Sequence, residues 1–225
     1  PDVRTVLFAA IPYYVSDESS NLAMFARGRD YHAFARTLGD GAAAILQNSH
    51  PQAKAAAFAD HSPYNEVIGA AMAGLGVIGD NGLLITERYS SFVFLFELLT
   101  TLTPAEMEAE GIPCGDGVIR HCEHCGACAA ACPGHCIDDS GRDSWSCSVY
   151  YRGAHESNPY MTADFLREHP QREAILKGEL RFDAASARAI YPAMDFLPSK
   201  RTGYAPCICG KKCDIACYKH IKGEM

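Results

Sequence analysis

No run of apolar residues approaches the roughly 20 that a membrane-crossing helix needs, and the longest, such as residues 91–99, fall well short. No charged-then-apolar leader opens the chain either. The expectation is a cytoplasmic protein with no membrane association. Pro1 stands where an initiator Met would, so the chain was processed or cut from a longer one. Positive charge is also scarce. Twenty Lys and Arg against 27 Asp and Glu leave a net charge of -7, and no basic patch relieves that balance, so composition offers nothing to attract a phosphate backbone. Cysteine is missing from residues 1–113, yet eleven follow between Cys114 and Cys217. Such segregation marks a module. An odd count without a secretion signal argues against a disulfide framework and for metal ligation. The 225 residues are 48% hydrophobic, ample for a packed core in one large domain or a medium domain with an appendage.

The first hundred residues read as strand alternating with helix. Residues 6–14 form a buried strand, and residues 31–46 carry apolar side chains at helical spacing with Asp30 as the cap. Residues 53–59 make a second short strand. Pro63 then opens a helix through Met72, as Pro commonly does in a first turn. Residues 83–86 and 91–99 are strands rich in Ile, Val and Phe, joined by a polar turn and placed to pair with each other. From Ile112 the pattern dissolves into Gly, Pro, Cys and charge, which puts a boundary between domains 1–111 and 112–225. Beyond it, residues 162–169, 171–180 and 184–190 read as helices. No internal repeat is present besides the two cysteine clusters.

Cys122, Cys125, Cys128 and Cys132-Pro133 follow C-x2-C-x2-C-x3-C-P, the run of bacterial ferredoxins that hold two 4Fe-4S clusters. Three thiolates at this spacing wrap one cube, and the fourth ligates the other cube. A second cysteine set must therefore exist. Cys209, Cys213 and Cys217 recur at x3 spacing, and Cys147 stands alone between the groups. The simplest exchange gives one cluster Cys122, Cys125, Cys128 and Cys217, and the other Cys132, Cys147, Cys209 and Cys213. Cys207 competes with Cys209, while Cys114 and Cys136 are left over. Structural zinc is the alternative, but it favours two C-x2-C knuckles across a longer gap. His121, His124 and His135 flank the first run as solvated side chains or donors to sulfur. Trp145, Tyr150 and Tyr151 near Cys147 shield a cluster from water.

Three polar groups interrupt the apolar first half: Arg27-Gly28-Arg29-Asp30-Tyr31-His32; Asp60-His61-Ser62-Pro63 with Glu66; and the glycine-rich residues 74–82. By position alone Asp60 reads as a helix cap, Tyr31 and His32 as a satisfied pair at a helix start, and the glycines as a tight turn. The glycine loop follows a helix and lacks the P-loop Lys, so it is weak evidence for phosphate binding. These groups, with Pro12-Tyr13-Tyr14, Tyr89-x-Ser91-Phe92, the first cysteine run, Cys147-Ser148 and the C-terminal set, stand in one order nearly end to end. In that order the chain resembles the cobalamin-dependent, iron-sulfur epoxyqueuosine reductases, relatives of corrinoid reductive dehalogenases.

The resemblance implies an α+β protein: a nitroreductase-like α/β domain binding base-off cobalamin and a C-terminal ferredoxin-like domain with two 4Fe-4S clusters. Electrons pass from an external low-potential donor through the clusters to cob(II)alamin. A carboxylic acid at the position of Asp60 donates the proton, and Tyr31, His32, Gly76, Asn81 and Ser91 line the corrinoid cavity. The implied reaction is reductive deoxygenation or elimination, on epoxyqueuosine in tRNA within queuosine biosynthesis or on a small molecule. A carrier that reduces another protein's corrinoid, and a flavin in place of the corrinoid, are the rival readings. Two departures bear on substrate, since Val67 and Asp80 stand where the family pattern has cations; a third is Tyr218 in place of a Pro after the last Cys.

Overall fold

The computed structural model describes residues 2–16, 23–156, 166–194 and 209–224. It divides into two compact units, Pro1–Tyr13 with Gly28–Ile78 and Leu83–Cys122, and Tyr14–Arg27 with Gly79–Gly82 and Glu123–Met225. Helices and antiparallel strands together make an α+β protein, the class expected. No helix among the described residues is long and apolar enough to cross a membrane.

The first unit is built on β1 (Thr5–Pro12), α1 (Tyr31–Ser49), β2 (Ala55–Phe58), α2 (Glu66–Met72), β3 (Val77–Ile78), β4 (Leu84–Ile85), β5 (Val93–Thr100) and α3 (Pro104–Ala109). β5 is the central strand, antiparallel to β1 and β2, with Phe8 and Phe58 in register on either side of Glu97. Alternation along β5 gives each helix its own face of the sheet. Leu98, with Leu7 and Ala57, packs under α1, whereas Leu95 and Phe8 pack with Val67, Ala70 and Ala71 of α2. The α2 face is tight: a Cβ on Gly69 would stand 2.1 Å from the Phe8 ring.

The helix caps decide where these elements begin. Asp30 accepts the His32 amide at 3.0 Å and starts α1 as expected. The next helix starts at Glu66, not Pro63, because Asn65 is the residue whose side chain accepts the Ile68 amide, at 3.1 Å. Asp60 therefore caps nothing. Nor do the two expected strands after Leu83 pair with each other. Both edges of β5 are taken by β1 and β2, so β4 pairs with β3, and the turn that follows is tied by reciprocal Thr86 and Ser90 backbone bonds and by the Thr86 hydroxyl, which donates to the Ser90 carbonyl.

The second unit carries α4 (Ala127–Ala131), the hairpin β6 (Ile137–Asp138) and β7 (Gly141–Arg142), α5 (Ser144–Tyr151), α6 (Arg172–Leu176), α7 (Ala184–Ile190) and α8 (Lys212–Lys222). Its core joins Val149, Tyr150, Ile175, Phe182, Ala187 and Ile190. α4 packs against α8. The helix expected over 171–180 is cut to Arg172–Leu176, since Gly178 takes a positive φ of 75° and turns the chain away. The helix expected over 162–169 lies partly outside the described residues, and its described end is turn.

Candidate functional site

Asp60 follows β2 by two residues, with a φ of 66° that non-glycine residues seldom adopt. Its backbone N–H donates to Oε1 of Glu66, the first residue of α2, at 2.7 Å. The Asp60 carboxylate meets the start of α1: the Tyr31 hydroxyl donates to Oδ2, and His32 Nε2 lies 2.8 Å from that same oxygen. The other ring nitrogen, Nδ1, lies 2.8 Å from Asp30 Oδ1. Bonding to Asp30 is the largest influence and raises the His32 pKa; desolvation opposes it, and bonding to Asp60 adds to the rise. The Tyr31 ring is stacked between His32, at 4.1 Å, and Phe94 of β5, at 4.0 Å. Tyr31, His32 and Asp60 thus form one hydrogen-bonded group on the protein surface. Beside it runs a cavity of about 240 Å3 lined by His32, Arg36, Phe58 and His61 among others.

Behind Asp60 lies a feature that the sequence reading missed. Glu97, in the centre of the sheet, is fully buried, and neither carboxylate oxygen has a hydrogen-bond partner among the described residues. Burial, with a smaller push from the Glu66 charge, raises its pKa to about 7. Glu66 is also raised, chiefly by burial, while the Asp60 amide works in the opposite sense. The signal was a lone acid in an otherwise apolar strand, VFLFELLT.

In the second unit, Cys132, Cys147, Cys209 and Cys213 line one cavity of about 120 Å3, together with Cys136, Tyr150, Tyr151, Arg142 and Lys211. Cys132 Sγ accepts the Cys136 amide at 3.4 Å, and Cys136 Sγ donates to the Gly134 carbonyl at 3.1 Å. Bonding from Cys136 lowers the Cys132 thiol to about 6. Burial pushes the Cys147 thiol up, and Arg142 and Lys211 oppose that push. These two cations suit a cavity that would collect anionic sulfur. Cys128 on α4 and Cys217 on α8 belong to packed helices. Around Cys125, ligand atoms of Glu123 and His220 gather with the thiol within 4.8 Å of one another. Cys122 ends the first unit. Cys114 is exposed, and Cys207 lies outside the described residues.

The remaining expected residues have definite places. Gly76 is needed for close backbone approach, because a Cβ there would stand 2.3 Å from the Ile85 carbonyl. Ser91 is buried and its carbonyl accepts the Tyr13 hydroxyl at 3.4 Å. Asn81 is buried in the second unit. Asp80, where a cation was expected, is almost wholly buried and lies 2.8 Å from His124 Nδ1. Tyr150 and Tyr151 line the cysteine cavity, whereas Trp145 is half-exposed beneath the Arg188 guanidinium, 5.0 Å from the ring centre.

Comparison with known proteins gives one consistent answer. The chain is 34% identical over 157 residues to the epoxyqueuosine reductase of Gloeobacter violaceus, covering 67% of this chain and 47% of that protein. It is 31% identical over 164 residues to the enzyme of the same name from Synechocystis, covering 67% and 52%. Two solved structures share the fold. One is epoxyqueuosine reductase from Streptococcus thermophilus, at TM-score 0.51 and 20% identity over 84% of this chain and 48% of that one. The other is an epoxyqueuosine reductase with an epoxyqueuosine-modified tRNA-Tyr stem loop, at TM-score 0.52 and 17% identity over 94% and 52%. The chain spans about half the length of the relatives it matches. No family model matches it.

Proposed function

Because the chain belongs to an epoxyqueuosine reductase-like family, we propose that it is an iron-sulfur oxidoreductase that removes oxygen from an epoxide through a bound corrinoid. The observation that carries this reading is the convergence of Cys132, Cys147, Cys209 and Cys213 on a single cavity, since four thiolates around one space are the ligand set of a 4Fe-4S cube. The chain's domains under this reading are residues 1–111, nitroreductase-like and corrinoid-binding, and residues 112–225, ferredoxin-like. Cys122, Cys125, Cys128 and Cys217 hold the first cluster on the strength of their spacing and of the packing of α4 on α8. A corrinoid, when bound, supplies a strongly reducing, nucleophilic metal centre.

The residues of the first unit supply protons. Opening an epoxide and releasing its oxygen as water consumes two electrons and two protons. Asp60, held between the Tyr31 hydroxyl and His32, is the delivering group, with His32 as the adjoining source. Tyr31 and His32 present a polar edge, with Gly76, Asn81 and Ser91 as the other lining residues of the corrinoid site. The electrons come from an external low-potential donor.

The substrate is an epoxide of the epoxyqueuosine type, carried on tRNA or free. A free small molecule gains support from the net charge of -7 and from Asp80 and Val67 at positions of expected cations. Anaerobic reconstitution with iron, sulfide and cobalamin, followed by metal analysis, decides the cofactors: about eight irons per chain and one cobalt are expected for two cubes and a corrinoid. Bound zinc, or flavin absorbance in place of the corrinoid bands, would overturn the assignment. Adding epoxyqueuosine-containing tRNA stem loop and the free epoxynucleoside to the reconstituted protein then separates the two substrates.

A further inference from the structure

Glu97 is the one fully buried acid whose two oxygens both lack a hydrogen-bond partner among the described residues. Its neighbours in register, Phe8 and Phe58, offer no donor and no charge. On the same face of the sheet lie Leu95 and the apolar side of α2. Glu66 on α2 is the group whose charge acts on it, and Glu66 in turn feels Asp60 and His61. An ionised carboxylate in such a place has neither solvent nor cation to stabilise it, so the neutral acid is the form the fold accepts. Glu97 and the half-buried Glu66 also resist being ionised together. Glu66 is needed as the acceptor of the Asp60 amide, a bond that is strongest when the acceptor is charged.

We infer that Glu97 is a positioning residue for Asp60: held as a neutral acid behind Glu66, it leaves Glu66 charged to fix the Asp60 backbone, and its ionisation weakens that hold. Asp60 keeps its left-handed backbone and its place before Tyr31 and His32 only while Glu66 grips its amide. Glu97 thus lets the site stay ordered below neutral pH and loosens it above.

The inference rests on Asp60 as the proton-delivering residue, but its measurement needs no turnover. Hydrogen exchange at the Asp60 amide of the reconstituted protein, corrected for intrinsic rate, should show protection falling about tenfold as Glu97 ionises above neutral pH. In Glu97→Gln, a neutral mimic of the acid, protection should stay level across the same range. A second readout covers a variant that folds poorly. In the unsubstituted protein a buried protonated-carboxyl infrared band should be present at pH 6 and fade as pH rises through about 7, and Glu66→Gln, which removes the charge that holds the Glu97 proton, should move that fading to lower pH; fading at the same pH in Glu66→Gln would mean that Glu66 does not act on Glu97 and would overturn the inference. A wild-type protein with no such band, or with Asp60 protection that does not change with pH, would overturn the inference. Full turnover in Asp60→Ala would instead overturn the proton role and leave the Glu97 link standing.

Discussion

Nε2 of His32 stands 2.8 Å from Oδ2 of Asp60 while Nδ1 of the same ring stands 2.8 Å from Oδ1 of Asp30. An imidazole between two carboxylates can satisfy both only by donating from both nitrogens, which is its protonated form. That form is therefore favoured, and the His32 pKa is raised with Asp30 as the larger cause. A raised pKa means that the charged pairings are fully present below the ordinary histidine value and are lost as pH rises through the higher, folded one. Turnover of the reconstituted protein should accordingly have a basic limb displaced above the usual histidine range. His32→Gln should lower turnover by about tenfold or more and remove that limb; a pH profile unchanged by the substitution would exclude His32 as a proton source.

Asp60 is the point on which Tyr31, His32 and, through its backbone, Glu66 converge. Asp60→Ala should cut turnover by at least about a hundredfold, the scale of a lost proton donor, while cluster reduction by dithionite, followed by absorbance bleaching, stays as in the unsubstituted protein. Equal turnover in the two proteins would favour a carrier that hands electrons to another protein's corrinoid.

The cysteine cavity allows a count instead of a rate. Cys147 reaches the cavity from α5, far in sequence from the ferredoxin run, so removing it tests a long-range assignment. Cys147→Ser should lower iron from about eight to about four per chain, with the first cluster's signal retained. Unchanged iron would point to Cys136, which lines the same cavity, as the ligand in its place.

Packing of α2 on the sheet is what carries Glu66 to the Asp60 amide. Gly69 leaves no room for a side chain against Phe8, where an added Cβ would stand 2.1 Å from the ring. Gly69→Ala should therefore destabilise the protein by about 1–3 kcal/mol, the usual cost of overpacking, read as a lower thermal midpoint. An unchanged midpoint would mean that α2 can slide on the sheet and that the Glu66 contact is not fixed by packing.

Much of this architecture is legible in local chemistry. Asp30 before Tyr31 announces the start of α1 because a capping side chain acts within three residues. The x2 and x3 spacings group Cys132 with a distant set, and Cys147, Cys209 and Cys213 do share its cavity. Strand pairing is not local in this way. Nothing in residues 83–99 tells that β5 will have both edges occupied, so the partner of β4 can be known only once the sheet exists. The Asp60 group fails for the same reason: a Tyr-His pair and an acid 28 residues later meet only because α1 and β2 pack side by side. Glu97 was hidden by its neighbours, since one acid does not disturb the apolar character of its strand.

That acid gives the last prediction its sign. Glu97 has its folded pKa raised from the ordinary 4.5 to about 7, first by burial and then by Glu66. A raised carboxyl pKa means that the folded protein binds the proton more tightly than the unfolded chain, so the associated stability is fully present below about pH 4.5 and is lost as pH rises through about 7. A shift of this size corresponds to roughly 3 kcal/mol. Glu97→Gln has no proton to lose, so its stability should not carry this decline. Urea unfolding of both proteins at intervals from pH 5 to pH 8 should show the variant gaining on the unsubstituted protein as pH rises, most steeply between about pH 5 and pH 6.5 and levelling off above about pH 7. Parallel curves would mean that Glu97 is ionised in the folded state at all these values, stabilised by water or a cation, and its supposed neutrality would fall with them.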